Sequence, residues 1–254
     1  MIKRILLFHV ILLVSGVLYA QELSFSYKGS RILMDSTFNT PQEPVVKGII
    51  EFYKPEMDRI MQEVVGISEV EMRSGRPESL LSNYATDALL EFGQKHSKEK
   101  VDFSLTNFGG IRAALPKGNV RRYDIYSIFP FENYVVILNV KGSTVRKLFE
   151  SFAANRVEAM SYNVKLEIEG RELKKALIDG VQIEDEKIYR IVTIDFLLSG
   201  GDNVLALKEA LSVEQTGLLI RDAIFEKIAE STKKGETIKS SITQRVTIEN
   251  QHYE

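Results

Sequence analysis

The chain has 254 residues with 33 basic and 35 acidic side chains, a formal net charge of −2 and no basic block, so electrostatics gives no support to binding of a nucleic acid polymer. It contains no cysteine, which excludes disulfides, thiolate metal sites, a cysteine nucleophile and a lipid-bearing cysteine. Its three histidines are His9, His96 and His252, a poor supply for a hydrolytic zinc or two-metal centre.

Lys3 and Arg4 precede an uncharged run from Ile5 to about Leu18, and Ala20 closes it before Gln21. This is the pattern of a secretory signal peptide over residues 1–20, cleaved near Ala20, and it predicts an exported protein, periplasmic or secreted. The run is short for a membrane span and no other stretch approaches one, so no membrane span is expected. The rest of the chain is long enough for one large domain or two small ones with a proper core.

Residues 21–70 read as a lead-in segment and helix. A strand-like piece around Ile32 to Met34 is followed by Pro41 and Pro44. Val46, Ile49, Ile50, Tyr53, Met57, Ile60, Met61 and Val64 then fall at helical spacing, with Pro55 predicting a kink or two consecutive helices. A polar connector holding Arg73, Gly75, Arg76 and Pro77 leads to an amphipathic helix from about Ser79 to Lys95, with Leu81, Tyr84, Ala85, Ala88, Leu89 and Phe92 inward. Asn83 and Asp87 share one of its faces, either as solvated surface or as a buried polar network near Arg73 and Arg76.

Val101, Phe103 and Leu105 alternate as a strand and run into Asn107-Phe-Gly-Gly-Ile-Arg112. Gly109 and Gly110 allow a bare, amide-rich turn, and Asn107 and Arg112 flank it with an amide and a permanent planar cation. Such a turn suits an anion, or is simply a glycine-bearing strand exit. Phe129-Pro-Phe-Glu-Asn133 is a bend, because Pro130 denies a ladder donor; its rings are core anchors or a ligand platform. Tyr134 to Val140 is a strand, and Ser143 is expected to cap a helix with Val145, Leu148, Phe149 and Phe152 inward.

Val164, Leu166 and Ile168, then Lys175 to Ile178, predict a hairpin at a sheet edge. Tyr189 to Ile194 is another strand, entering Asp195-Phe-Leu-Leu-Ser-Gly-Gly-Asp-Asn203. This repeats the first turn's plan of a strand, a glycine pair, polar residues and an aromatic, and the two turns could converge on one pocket. Gly217 to Ile228 reads as a final helix and Ile242 to Ile248 as a final strand.

Together, Asn107-Phe-Gly-Gly-Ile-Arg112, the Phe129 to Asn133 bend, Val140-Lys-Gly-Ser-Thr-Val-Arg-Lys-Leu-Phe149 and Asp195-Phe-Leu-Leu-Ser-Gly-Gly-Asp202 resemble the C-terminal domain of the secreted 5′-nucleotidase family. The resemblance covers nearly all of residues 71–250. It implies an α/β fold of mixed α+β type, with two sheets between helical layers, acting as a substrate-recognition domain. Carried across by residue, it implies that Asn107 bonds the base edge, Arg112 meets the phosphate, Phe131 and Phe196 stack on the base, Asn133 lines its side and Asp202 takes the ribose hydroxyls. Gly109, Gly110 and Gly201 belong to the same turns, and Arg76 is chosen over Arg73 as a second phosphate arginine. The family's metallophosphoesterase half has no counterpart motif here, since neither Asp-x-His nor Gly-Asn-His occurs.

The expectation is therefore the recognition half of a nucleotide hydrolase, with no catalytic or metal-binding residue and no cofactor of its own. Two divalent metals are expected on a separate metallophosphoesterase partner chain, without which this chain is inactive. The alternative is an exported nucleoside- or nucleotide-binding protein that performs no hydrolysis.

Overall fold

The computed structural model describes residues 25–39 and 43–250, and the expected signal peptide lies outside them. The described chain divides after Phe52 into two units. In the first, Ile32 to Met34 is irregular and exposed where a strand-like piece was expected, and a short 3₁₀ turn covers Ser36–Asn39. Helix α1 is Pro44–Met61 with Pro55 inside it, so the sequence's two-helix alternative does not occur. Val64, assigned to that helix by spacing, instead opens a strand.

Residues 53–250 carry three sheets. Strand β1, Val64–Ser68, pairs antiparallel with β3, Gly118–Arg121, in a ribbon that the sequence did not disclose. The five-stranded sheet joins β2 (Phe103–Thr106), β4 (Tyr134–Lys141), β5 (Ala159–Met160), β9 (Ile188–Ile194) and β10 (Ser212–Leu219) in the order β10-β4-β9-β2-β5. The four-stranded sheet holds β6 (Val164–Glu169), β7 (Glu172–Ile178), β8 (Val181–Gln182) and β11 (Val246–Glu249) in the order β11-β6-β7-β8. The predicted hairpin is β6 with β7, antiparallel, and β11 joins β6 in parallel. Ile242 is exposed and lies before β11, so the final strand is shorter than its alternation suggested.

Strand β2 is buried on both faces. The Phe103 ring meets Phe149 of α4 (Gly142–Ala154), with centroids 5.6 Å apart, while Ser104 Oγ donates to Thr86 O of α2 (Leu80–His96) at 2.6 Å. All four of its residues are buried, which replaces the expected alternation with a continuous run. Helix α2 covers one face of this sheet together with α6 (Ile220–Lys233), against which the short α3 (Arg122–Ile128) packs. Helix α4 lies between its other face and β7 of the four-stranded sheet. The mixed α/β fold of two main sheets and helical layers is thus the one expected.

Local chemistry explains the element ends. Ser79 caps α2 reciprocally with Ser82. Ser143 does not cap α4: Gly142 and Ser143 donate their N–H groups to Lys187 O and Asp185 O, so loop carbonyls pair with the donors of the first turn. Gly142 is required there, because a Cβ would stand 1.9 Å from Glu184 O. Helix α6 starts at Ile220, later than expected, because β10 stays paired with β4 as far as Leu219 opposite Tyr134.

The polar face of α2 is the buried network that the Asn83 and Asp87 spacing allowed. Asn83 Nδ2 donates to Glu78 Oε1 and Ser241 O, and Arg245 Nη2 donates to Asp87 Oδ2 at 2.7 Å. Its cation is Arg245, brought from beyond residue 240, instead of Arg73 or Arg76.

Candidate functional site

Strand β2 delivers Asn107 to the sheet end, and Phe108–Gly110 form a single 3₁₀ turn there. Asn107 is buried, and its Nδ2 donates to Asp202 Oδ2 at 2.6 Å. Its Oδ1, also buried, has no hydrogen-bond partner among the described residues. An unpaired buried acceptor is costly, so this oxygen is suited to a ligand donor such as a hydroxyl or an amino group. Both glycines serve the arrangement. A Cβ on Gly110 would meet Asn107 Oδ1 at 2.7 Å, and one on Gly109 would stand 3.3 Å from Asp202 Oδ2.

Strand β9 brings the second turn to the same place. One helical turn, α5 (Asp195–Leu198), ends at Gly200, whose φ of 88° takes the chain into Gly201–Asn203. Asp202 itself has a φ of 50°, a left-handed conformation that Asp tolerates better than most residues. Gly201 lies under Phe196: an added Cβ would fall 2.3 Å from Phe196 Cε1.

The bend supplies the third component, and its two rings part company. Phe129 is 3% exposed and belongs to the core, whereas Phe131 is 48% exposed and Phe196 is 40% exposed. Phe131 and Asn133 line one concavity with Asn107 and Gly110. Two residues that the motifs did not single out hold this geometry. Buried Arg221 donates from Nη1 to Phe129 O at 3.0 Å and Phe131 O at 3.3 Å, fixing the bend from behind. Asp195 Oδ1 accepts from both Tyr134 N and Phe196 N, tying the end of the bend to the second turn. A lone arginine on a helix gave no sequence signal, and Asp195, though it opens the second motif, was given no role of its own.

The arginines differ in engagement. Arg112 is exposed at the exit of the glycine turn, with one long hydrogen bond of 3.4 Å from Nη1 to Gly109 O. Arg73 is exposed and paired with Glu71. Arg76 donates from Nε to Val157 O at 2.8 Å and from Nη2 to Glu158 Oε1 at 2.5 Å, and its guanidinium lies 4.5 Å over the Phe108 ring. Glu158 Oε2 accepts from Phe108 N at 2.7 Å. Burial pushes the Glu158 carboxyl above its ordinary pKa and the Asp202 charge acts the same way, while Phe108 N–H and Arg76 oppose them. Sequence reasoning missed Glu158, which lies outside every motif.

The structure thus brings Asn107, Gly109, Gly110, Phe131, Asn133 and Asp202 into one neighbourhood, with Phe196 and Gly201 on the adjoining turn and Arg112 at the edge. Arg76 sits over the Phe108 ring and lines a different cavity. Among the described residues no group of three or more His, Cys, Asp or Glu side chains is placed to hold a metal ion. Among the same residues no helix is long and apolar enough to cross a membrane.

Residues 62–209 match the family model of the 5′-nucleotidase C-terminal domain. The trifunctional nucleotide phosphoesterase protein YfkN of Bacillus subtilis is 23% identical over 228 residues, which are 82% of this chain and 15% of that protein. Protein UshA of Yersinia enterocolitica is 28% identical over 131 residues, 50% of this chain and 24% of that one. Among solved structures, the 5′-nucleotidase precursor of Thermus thermophilus superposes with a TM-score of 0.69 at 24% identity, covering 90% of this chain and 47% of that chain. The fold is that of the matching part of this solved 5′-nucleotidase precursor. This chain belongs to the 5′-nucleotidase C-terminal domain family. It spans less than half the length of each of these relatives.

Proposed function

We propose that this chain is the nucleotide- or nucleoside-recognition half of a 5′-nucleotidase-type hydrolase. The observation that carries the proposal is the 2.6 Å bond between Asn107 and Asp202, which unites two glycine turns, with exposed Phe196 on the second turn and exposed Phe131 lining a concavity with Asn107. Phe131 and Phe196 stack on the base, a contact that contributes on the order of 1–3 kcal/mol per base and tolerates different bases. Asn133 lines the base side, and Asn107 presents its unpaired Oδ1 to a donor on the ligand. Asp202 accepts from the ribose hydroxyls. Gly109, Gly110 and Gly201 keep the backbone close to the ligand, and Arg112 meets the phosphate.

Water activation on phosphate monoesters is assigned to a separate, metal-bearing metallophosphoesterase chain. The residues of this chain orient the nucleotide against it. The leader-like first twenty residues support a periplasmic or secreted setting.

A second reading is capture of nucleosides or nucleotides with no hydrolysis. It uses the same aromatic and polar residues and needs no partner chain.

Calorimetric titration with adenosine and with adenosine monophosphate, in chelator, tests the recognition reading. Binding of either supports it, and binding of neither overturns it. Phosphate release by the purified chain alone with divalent metal would overturn the split between recognition and chemistry. A metallophosphoesterase chain co-purifying with this one favours the first reading over the second.

A further inference from the structure

We infer that Glu158 is a positioning and specificity-determining residue of this site: it holds Arg76 behind the glycine turn and neutralises it, so that phosphate recognition falls to Arg112. The inference rests on the nucleotide-recognition reading and deepens it.

Glu158 is 2% exposed, and its two oxygens have different tasks. Oε2 takes the N–H of Phe108, the first residue of the turn, and Oε1 takes Arg76 Nη2. Arg76 is held on three sides, by Glu158, by Val157 O and by the Phe108 ring at 4.5 Å. Its open edge faces a different cavity of about 250 Å³, lined with Pro77, Phe152, Arg156, Ile168 and Ile248, and not the concavity of Asn107, Phe131 and Asn133. One buried carboxylate therefore occupies an amide of the turn and a guanidinium beside it, two groups that would otherwise attract an anion.

Of the charged side chains assigned to the ligand, Arg112 and Asp202 are left, with Lys208 Nζ against Gly200 at the back of the second turn. A phosphate dianion meets one exposed guanidinium and stands near a carboxylate, whereas a neutral nucleoside meets Asp202 and Asn107 without that opposition. The site is thereby biased toward the sugar and base, and the phosphate adds little affinity beyond what Arg112 supplies.

The test is calorimetric titration of adenosine and adenosine monophosphate into the purified chain and its Arg112→Ala, Arg76→Ala and Glu158→Gln variants, read as the ratio of the two affinities. Arg112→Ala should lower the preference for the monophosphate about ten-fold, the size of one lost charge-assisted bond. Arg76→Ala should weaken both ligands together by loosening the turn, leaving the ratio within about two-fold of the parent. Glu158→Gln keeps an acceptor for Phe108 N–H but removes the charge, and should raise the ratio several-fold.

A fall in the ratio for Arg76→Ala matching that for Arg112→Ala would make Arg76 a phosphate ligand and overturn the inference while leaving the recognition reading intact. A Glu158→Gln protein that loses thermal stability with no change in ratio would make Glu158 merely structural and also overturn it. If Glu158→Gln does not fold, the Arg76→Ala ratio decides alone. Failure of the parent chain to bind either ligand would remove the reading and the inference together.

Discussion

Asn107 and Asp202, 95 positions apart in the chain, meet in a 2.6 Å hydrogen bond from Asn107 Nδ2 to Asp202 Oδ2. The bond fixes the amide's orientation, because a carboxylate takes a donor and only Nδ2 is one, which leaves the buried Oδ1 without a partner among the described residues. Asn107→Asp would set two carboxylates at this separation, where both cannot remain charged and the coupled pair titrates upward. Adenosine affinity should fall about ten- to a hundred-fold, the range for one lost bond to a charged group. A raised carboxyl binds its proton more tightly in the folded state, so the variant should lose most stability at neutral pH and regain it as the pH falls. Melting temperatures of parent and variant between pH 5 and 8 check this; a pH-independent difference would contradict it.

Gly201 is a test of the stacking role that does not touch the stacking ring. An added methyl would fall 2.3 Å from Phe196 Cε1 and 2.4 Å from Cζ, so Gly201→Ala must displace the ring. Phe196 is 40% exposed, and its displacement should cost the fold little. Nucleoside affinity should drop by about one base-stacking contribution, 1–3 kcal/mol. Calorimetry against a melting curve separates the two effects, and unchanged affinity would show that the ring is no part of the ligand face.

Removal of Arg245 should damage the fold more than any change at the ligand turns. It joins a buried network in which its Nη2 holds Asp87 and its Nη1 reaches Met160 O, while its backbone N–H and that of Thr243 go to Glu78. Burial raises the Asp87 pKa even with Arg245 beside it, whereas for Glu78 the bonds from Thr243, Asn83 and Arg245 outweigh burial and lower it. Arg245→Ala would strand the carboxylates and should destabilise by about 3–5 kcal/mol. Urea unfolding measures this, and partial recovery in an Asp87→Asn background would trace the loss to the unpaired charge.

The parts of the site legible in the sequence were those encoded locally. Glycine pairs at strand ends and a proline bend between phenylalanines announce backbone geometry wherever the chain places them, so the Asn107 to Arg112 turn, the Phe129 to Asn133 bend and the Asp195 to Asn203 turn could be picked out, while Phe131 and Asp202 were given roles only by the family resemblance. Glu158 and Arg221 act through partners distant in sequence, Phe108 and Phe129 among them, and the tie from Asp195 to Tyr134 is equally remote, although Asp195 opens the second turn. The same division holds in the fold. The α2 stripe and the β6 and β7 hairpin were plain from spacing, whereas β1, β3 and most of β10 were missed. Their residues are partly exposed and make sense only as partners of another strand. Ser143 misled because a good capping residue was pre-empted by the carbonyls of Asp185 and Lys187.

Tyr84 offers a prediction in the alkaline range. Its hydroxyl is buried and has no hydrogen-bond partner among the described residues, while its ring lies 5.6 Å from Lys227 Nζ. Burial, with a smaller contribution from the Glu91 charge, pushes its pKa well above the ordinary tyrosine value. The folded state therefore keeps the phenol proton at a pH where the unfolded chain releases it. The sign is that stability is unaffected below the unfolded pKa of about 10 and is lost as the pH rises beyond it. Tyr84→Phe keeps the ring over which Lys227 sits and removes both the titration and the unpaired hydroxyl. It should stabilise the protein by about 1 kcal/mol at neutral pH, the lower end of the cost of an unsatisfied buried group. Above pH 10 the advantage over the parent should widen steadily. Urea midpoints for both proteins at pH 7 and at pH 10.5 measure it, and a constant gap between the two would show that the Tyr84 hydroxyl ionises as freely in the folded chain as in the unfolded one.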